Sequence, residues 1–250
     1  MRDADNIREV EALGIDLMGF IFWNGSKRFV CHKPTYLPTH CQRVGVFVNE
    51  DIEQVKRLVE EYALDYIQLH GHESPAYINQ LKYSLSIGCS PAFYPSGSPS
   101  HLPFSWGGVG ELSEGQKNSI GCSPYQGELS KGLRGSLSII KAFNIADPSD
   151  FEQTKAYEGA AHFFLFDTKG KSVGGNGEQF DWNILDNYNG NTPFILSGGI
   201  GPDDASRIMA FKHPKCIGID LNSRFEITPG LKDINKLKTF IQTIKNDEQD

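Results

Sequence analysis

The sequence predicts an α/β fold, a (β/α)8 TIM barrel whose first strand is missing from the chain, and three observations predict it. Seven apolar runs of strand length alternate with segments of helical pattern. The runs are close to continuously apolar rather than alternating, as strands covered on both faces are. The 250-residue length suits one such barrel, and this many repeats favours closure over an open doubly wound sheet.

Asp3 is a plausible cap for an amphipathic helix over Asn6 to Leu13, which Gly14 stops. Leu17 to Phe22 then reads as a buried strand. A second strand spans Arg43 to Val48, a helix Asp51 to Glu61, and a third strand Tyr66 to His70, ending at Gly71. Ser74-Pro75 opens the next helix, with proline at its favoured first position. The rhythm resumes with a strand at Ile139 to Phe143, a helix around Phe151 to Glu158, and the strand Phe163 to Asp167. Phe194 to Gly199 and Cys216 to Asn222 are the last two strands, with helices from about Pro202 to Phe211 and Asp233 to Lys245. Because the chain opens on a helix, the eighth strand would precede Met1.

Between Gly88 and Gly135 the chain is rich in Gly, Ser and Pro and carries no period, which is unusual inside a compact domain. Ser84-Leu85-Ser86-Ile87 recurs at 136–139, and Ser86 to Pro91 recurs at 119–124. Residues 88–135 are therefore expected to be a flexible insertion flanked by a direct duplication, within one domain spanning 1–250. Deleting one copy joins Lys82-Tyr83 to a single strand. The other reading of the segment is a lid or binding loop.

The net charge of -7, from 24 basic and 31 acidic residues spread without long blocks, offers no footprint for nucleic acid or an anionic membrane. A small-molecule substrate is expected instead. The five cysteines lack metal or CxxC spacing, which fits a reduced cytoplasmic setting. No charged leader with an apolar stretch opens the chain, and no apolar run approaches the ~20 residues that cross a bilayer.

The run Phe163-Phe164-Leu165-Phe166 delivers Asp167 to the end of its strand, before Gly174-Gly175-Asn176-Gly177. Barrel enzymes present an acid to substrate in this way, although an aspartate here could equally cap the following turn.

Taken in series, Gly19-Phe20-Ile21-Phe22 with Ser26-Lys27-Arg28-Phe29, Val44 to Asn49, Ile67-Gln68-Leu69-His70-Gly71, Leu165-Phe166-Asp167-Thr168 with the glycine loop, and Leu196-Ser197-Gly198-Gly199-Ile200 resemble the phosphoribosylanthranilate isomerase family of tryptophan biosynthesis. The resemblance runs in the family's order over nearly everything but 88–135. It implies an Amadori rearrangement of N-(5'-phosphoribosyl)anthranilate to 1-(2-carboxyphenylamino)-1-deoxyribulose 5-phosphate, with no cofactor and no metal, in a monomer or homodimer.

In that reading Asp167 is the general acid, which must hold a proton near neutrality, and the apolar run before it suits that need. Arg28 would meet the anthranilate carboxylate, a pairing its planar fork suits, although a solvated surface arginine is the commoner fate. Gly198, Gly199, Asn222 and Ser223 would hold the phosphate at the ends of the last two strands, or Gly198-Gly199 could be a plain turn. Arg224 stands where the family often has glycine. Gln68 and His70 would line the pocket, or His70 could be a packing histidine; His162, at the opposite strand end, reads as structural. The family's general base is a cysteine on the strand before Met1, so Met1 is expected to be an internal methionine, with roughly ten residues ahead of it, about a strand and its flanks. Without that base the chain is expected to turn over negligibly. The second reading of function is a non-catalytic sugar-phosphate-binding or interaction protein built on the same barrel. Other phosphosugar barrel enzymes depend on metal ligands or Lys and Glu sets that have no match here.

Overall fold

Helices and parallel strands alternate through the computed structural model, which describes residues 1–88, 137–168 and 181–246. Asp3 is extended, and its Oδ1 accepts from the Asn6 N–H at 2.8 Å, capping α1 (Ala4–Glu11). Gly14, at φ 71°, turns the chain toward β1 (Leu17–Ile21), a left-handed conformation that only glycine adopts without strain. After β2 (Gln42–Phe47), Asp51 caps α2 (Ile52–Tyr62) by accepting from the Glu53 N–H. Then come β3 (Tyr66–Leu69) and α3 (Pro75–Gly88), which starts with Ser74 Oγ accepting from the Tyr77 N–H.

The second half contributes β4 (Ser138–Ile145), β5 (Phe163–Thr168), β6 (Phe194–Ser197), α4 (Ala205–Ala210) and β7 (Cys216–Ile219). All seven strands are parallel and pair in chain order from β1 to β7. Val44 of β2, Tyr66 of β3, Ile140 and Ala142 of β4, Leu165 of β5, Ile195 of β6 and Ile217 of β7 form one cluster on one face. Strands so far apart in the sheet can share a core only if the sheet curls into a barrel wall. The opposite face packs under the helices through a larger core that holds Phe47, Phe143, Phe164, Phe166 and Phe194. Among the described residues no strand joins β7 to β1, and the Met1 backbone nitrogen donates to Gly19 O at 2.6 Å.

Two expected helices take a different form. The helix expected over Phe151 to Glu158 is a 3₁₀ helix over Pro148–Tyr157. Asp147 accepts from the Ser149 N–H and Asp150 from those of Ala146 and Asp147, so side chains satisfy the amides of a tight turn. Pro202–Asp204 is likewise a 3₁₀ turn leading into the short α4. The first copy of the Ser-Leu-Ser-Ile repeat lies in α3, whereas the second enters β4. Context decides: Leu81 is buried on α3, and Leu85, one turn on, packs against the same core. The segment 88–135, expected to be an insertion, lies outside the described residues except for Gly88, and the Gly174–Gly177 stretch lies outside them altogether.

A hairpin was not foreseen. After the turn Ser223–Phe225, β8 (Glu226–Thr228) pairs antiparallel with β9 (Leu231–Lys232) before α5 (Ile234–Asn246). Its sequence signal was Pro229-Gly230, a turn dipeptide, with Gly230 at φ 87°. Phe225, fully buried, anchors the hairpin on Phe240 of α5 at 5.0 Å between ring centres.

Candidate active site

Along β5 the side chains alternate, so Phe164 and Phe166 enter the helix-facing core while Leu165 and Asp167 face the barrel interior. Asp167 is therefore delivered to the C-terminal mouth, its side chain 15% exposed, with Oδ2 at 3.8 Å from His70 Nε2. Gln68, two residues before His70 on the same face of β3, lies with Nε2 at 3.1 Å from His70 Nδ1. On the other side, Asp167 pairs in register with Ser197, whose Oγ donates to Asp220 Oδ2 at 2.9 Å. The structure thus brings Gln68, His70 and Asp167 together at the strand ends, with Ser197 and Asp220 on the strands beyond.

Gly198 and Gly199 leave β6 at φ 103° and 66°, so both need glycine. A Cβ on Gly199 would meet nothing within 4 Å, leaving its backbone open to a ligand. Arg224 completes this loop in a way the sequence did not decide. A Cβ on Gly201 would lie 2.6 Å from Arg224 Nε and 3.3 Å from its Cζ, which places the guanidinium against Gly201, at the end of this loop. Ser223 opens the next turn, while Asn222 is drawn elsewhere. Its carbonyl and side-chain oxygens both accept from Lys232 Nζ at 3.0 Å.

Arg28 has a partner of its own. Its Nε donates to both Glu226 carboxylate oxygens at 2.8 and 2.9 Å, and Nη2 to Oε2 at 2.6 Å. Arg28 was expected to present this fork to a substrate carboxylate; an internal carboxylate, with its side chain 5% exposed, already occupies two of the guanidinium nitrogens. Lys232 Nζ lies 3.5 Å from the same carboxylate. Burial works to raise the Glu226 pKa, yet the hydrogen bonds from Arg28 and the Lys232 charge outweigh it and hold it below 4.5. A group whose pKa is lower in the folded chain contributes stability in full above its unfolded value of 4.5 and loses it as pH falls through the lower folded value. Glu226→Gln is therefore expected to cost about 2 kcal/mol at pH 7, short of the full cost of breaking a buried pair because Arg28 is partly exposed. The gap from the unsubstituted protein should narrow below pH 4.5, which urea unfolding at stepped pH measures.

Two of the three described thiols stand away from this mouth. Cys216 is the first residue of β7 and Cys41 directly precedes β2, both at the N-terminal ends of strands, and burial pushes the Cys41 thiol up to about 12. Cys31 is exposed in the connection after β1. His162 Nδ1 accepts from the Ile139 N–H at 2.9 Å at the far end of the sheet, as its structural reading expects.

Glu226, Lys232, Lys141 and Glu73 were missed by sequence reasoning. Lys141 had a signal: a cation inside the apolar run Ile139 to Phe143 has to find a partner when the strand is buried.

Comparison with known proteins shows what the chain is similar to. A sequence profile described as N-(5'phosphoribosyl)anthranilate (PRA) isomerase matches residues 1–98 and 125–243. The chain is 42% identical to the N-(5'-phosphoribosyl)anthranilate isomerase of Parabacteroides distasonis, over 98% of this chain and 90% of that protein. It is 39% identical to the one of Phocaeicola vulgatus, over 98% and 95%. Among solved structures, phosphoribosyl anthranilate isomerase from Thermus thermophilus superposes with a TM-score of 0.61 at 24% identity, covering 98% of this chain and 99% of that one. The Thermotoga maritima enzyme gives 0.60 at 24% over the same shares. A third, at 0.58 and 22%, covering 98% and 99%, is a phosphoribosyl anthranilate isomerase in complex with reduced 1-(o-carboxyphenylamino)-1-deoxyribulose 5-phosphate. The structures support the barrel fold, and the profile and close relatives, spanning nearly the whole chain, make it a member of the N-(5'-phosphoribosyl)anthranilate isomerase family.

Proposed function

We propose that the chain is an isomerase acting on N-(5'-phosphoribosyl)anthranilate in tryptophan biosynthesis, with Asp167 as its general acid. The observation that carries this reading is the placement of Asp167, at the C-terminal mouth of the barrel, partly sheltered and beside His70. The reaction needs a proton on the furanose ring oxygen, so that the C1–O bond breaks and a Schiff base forms. A base then takes the C2 proton, giving the enol that becomes the ketose. Asp167 supplies the first proton, while Gln68 and His70 line the same wall. The open Gly198–Gly199 backbone, the neighbouring Ser223 and the Arg224 guanidinium suit the phosphate. Asn222 contributes through its backbone position, since Lys232 holds its side chain. Arg28, oriented by Glu226, faces the substrate carboxylate through the rest of its guanidinium. The substrate is a small phosphosugar, and residues 88–135 are an insertion in a single 1–250 domain, a reading supported by the repeat and by the profile's gap at 99–124.

A second reading, a sugar-phosphate-binding protein without turnover, draws support from two described thiols, Cys216 and Cys41, which stand at the N-terminal ends of strands rather than beside Asp167. One experiment separates the two. The chain is mixed with N-(5'-phosphoribosyl)anthranilate and the ketose followed by ¹³C NMR, with calorimetry of the reduced product analogue alongside. Conversion that stops with Asp167→Asn supports the isomerase. Analogue binding without conversion supports the second reading, and neither binding nor conversion overturns both.

A further inference from the structure

We propose that the buried Lys141–Glu73 ion pair is a positioning device that fixes His70 against Asp167, an inference resting on the reading of Asp167 as the acid. Lys141 stands in the middle of β4 and faces the helix layer, with its side chain 3% exposed. Its ammonium donates to Leu69 O at 3.2 Å, Gly71 O at 2.8 Å and Ala142 O at 3.0 Å, and lies 3.4 Å from Glu73 Oε2. Leu69 and Gly71 are the two neighbours of His70. One cation therefore holds the peptide carbonyl on either side of the histidine.

Glu73, with its side chain 1% exposed, completes the clamp. Its carboxylate accepts from the Gly71 N–H at 3.0 Å and the Asn49 N–H at 2.7 Å. The His70 N–H donates to Phe47 O at 2.8 Å, and Tyr157 Oη donates to Glu73 O at 3.0 Å. Gly71 admits no side chain, since a Cβ there would lie 2.5 Å from Asn49 Oδ1 and 2.8 Å from Asn49 N. The backbone around His70 is thus tied in several directions, and its Cα–Cβ bond can take one course, toward the barrel mouth.

The energetics favour a geometric role over a stabilising one. Removing two charges from water costs more than their attraction readily returns, and well-packed apolar residues often do as well or better. The surrounding rings of Phe143 and Tyr157, 5.4 and 5.8 Å from the ammonium, would accept an apolar side chain. An apolar residue could not place donors on two carbonyls of the β3–α3 connection.

The test reads the distance between His70 and Asp167 without requiring turnover. The ring nitrogens of His70 are followed by long-range ¹H–¹⁵N NMR in protein labelled on histidine. In the otherwise unsubstituted chain, Asp167→Asn is expected to displace the His70 resonances. In Lys141→Met/Glu73→Gln, which removes both charges together, that displacement should be lost while the melting curve shows a folded protein. Should this variant fail to fold, Lys141→Gln/Glu73→Gln is read the same way, with partial loss. Glu73→Gln alone, which leaves Lys141 on both carbonyls, should keep most of the displacement. An equal displacement in the folded double variant overturns the positioning role. Where turnover is measured, the double substitution should lower kcat roughly 10- to 100-fold with little change in KM, as misplacement by about an ångström does. The same pair should change kcat by less than about twofold in a His70→Ala background, since non-additivity marks residues acting through one another. Failure of the isomerase reading leaves the NMR result intact, so the two are told apart.

Discussion

Asp167→Asn is expected to lower kcat by about 10²- to 10⁴-fold, the span that a positioned general acid contributes. The substitution is close to isosteric, so the strand register with Ser197 and the neighbourhood of His70 should persist. What disappears is a transferable proton, because an amide cannot donate one to the ring oxygen at useful cost. Affinity for the reduced product analogue should therefore change only a few-fold, an effect on the transition state rather than on uniform binding. Steady-state kinetics and calorimetry measure the two sides. Full turnover by the Asp167→Asn variant would remove Asp167 from the mechanism, whereas a large loss of analogue affinity would reassign it to binding.

Phe166→Ala should cost about 3–5 kcal/mol in unfolding free energy, the range for a large aromatic removed from a core that cannot collapse around the space. Phe166 is fully buried, with the rings of Phe194, Tyr188 and Phe151 at 4.7, 5.0 and 5.4 Å. These rings come from β6 and from the segments that follow β5 and β4, so one side chain ties the strand bearing Asp167 to the layer outside it. Urea unfolding followed by fluorescence gives the value. A loss below about 1 kcal/mol would mean that this layer is not packed as described.

All seven strands were legible because a run such as Phe163 to Phe166 or Phe194 to Leu196 has few other uses in a chain of this composition. Asp3, Gly14 and Ser74-Pro75 were legible for a different reason, since caps and stops act on amides within a turn of themselves. The 3₁₀ helix over Pro148–Tyr157 was not, because Asp147 and Asp150 compete with the helix ladder for the same amides, and residue order alone does not say which wins. The candidate site divides on the same line. The shared face of Gln68 and His70, and the position of Asp167 at its strand end, follow from strand alternation, a local rule, while the roles expected of them came from the family resemblance. Glu226 and Lys141 depend on partners remote in sequence, Arg28 for the one and the carbonyls beside His70 for the other. A charge reads as surface until its distant counterpart is known.

The hairpin after β7 has a consequence for the order of events as the chain folds. Asn6 and Lys232 exchange two hydrogen bonds, Nδ2 to O at 2.9 Å and N to Oδ1 at 2.8 Å, while Arg2 reaches Pro229 O at 2.9 Å. These contacts, like Arg28 with Glu226, close loops spanning most of the polypeptide, the slowest kind of contact to find. The hydrogen bonds that orient Arg28 are therefore expected to form late in folding, after neighbouring strands have paired. An intermediate with its sheet formed and its two ends apart would carry Asp167 and His70 on one wall, flanking β4, yet would have no anchored guanidinium. Any function that draws on the Arg28 guanidinium would then lag behind secondary structure during refolding, arriving with the meeting of the first and last segments.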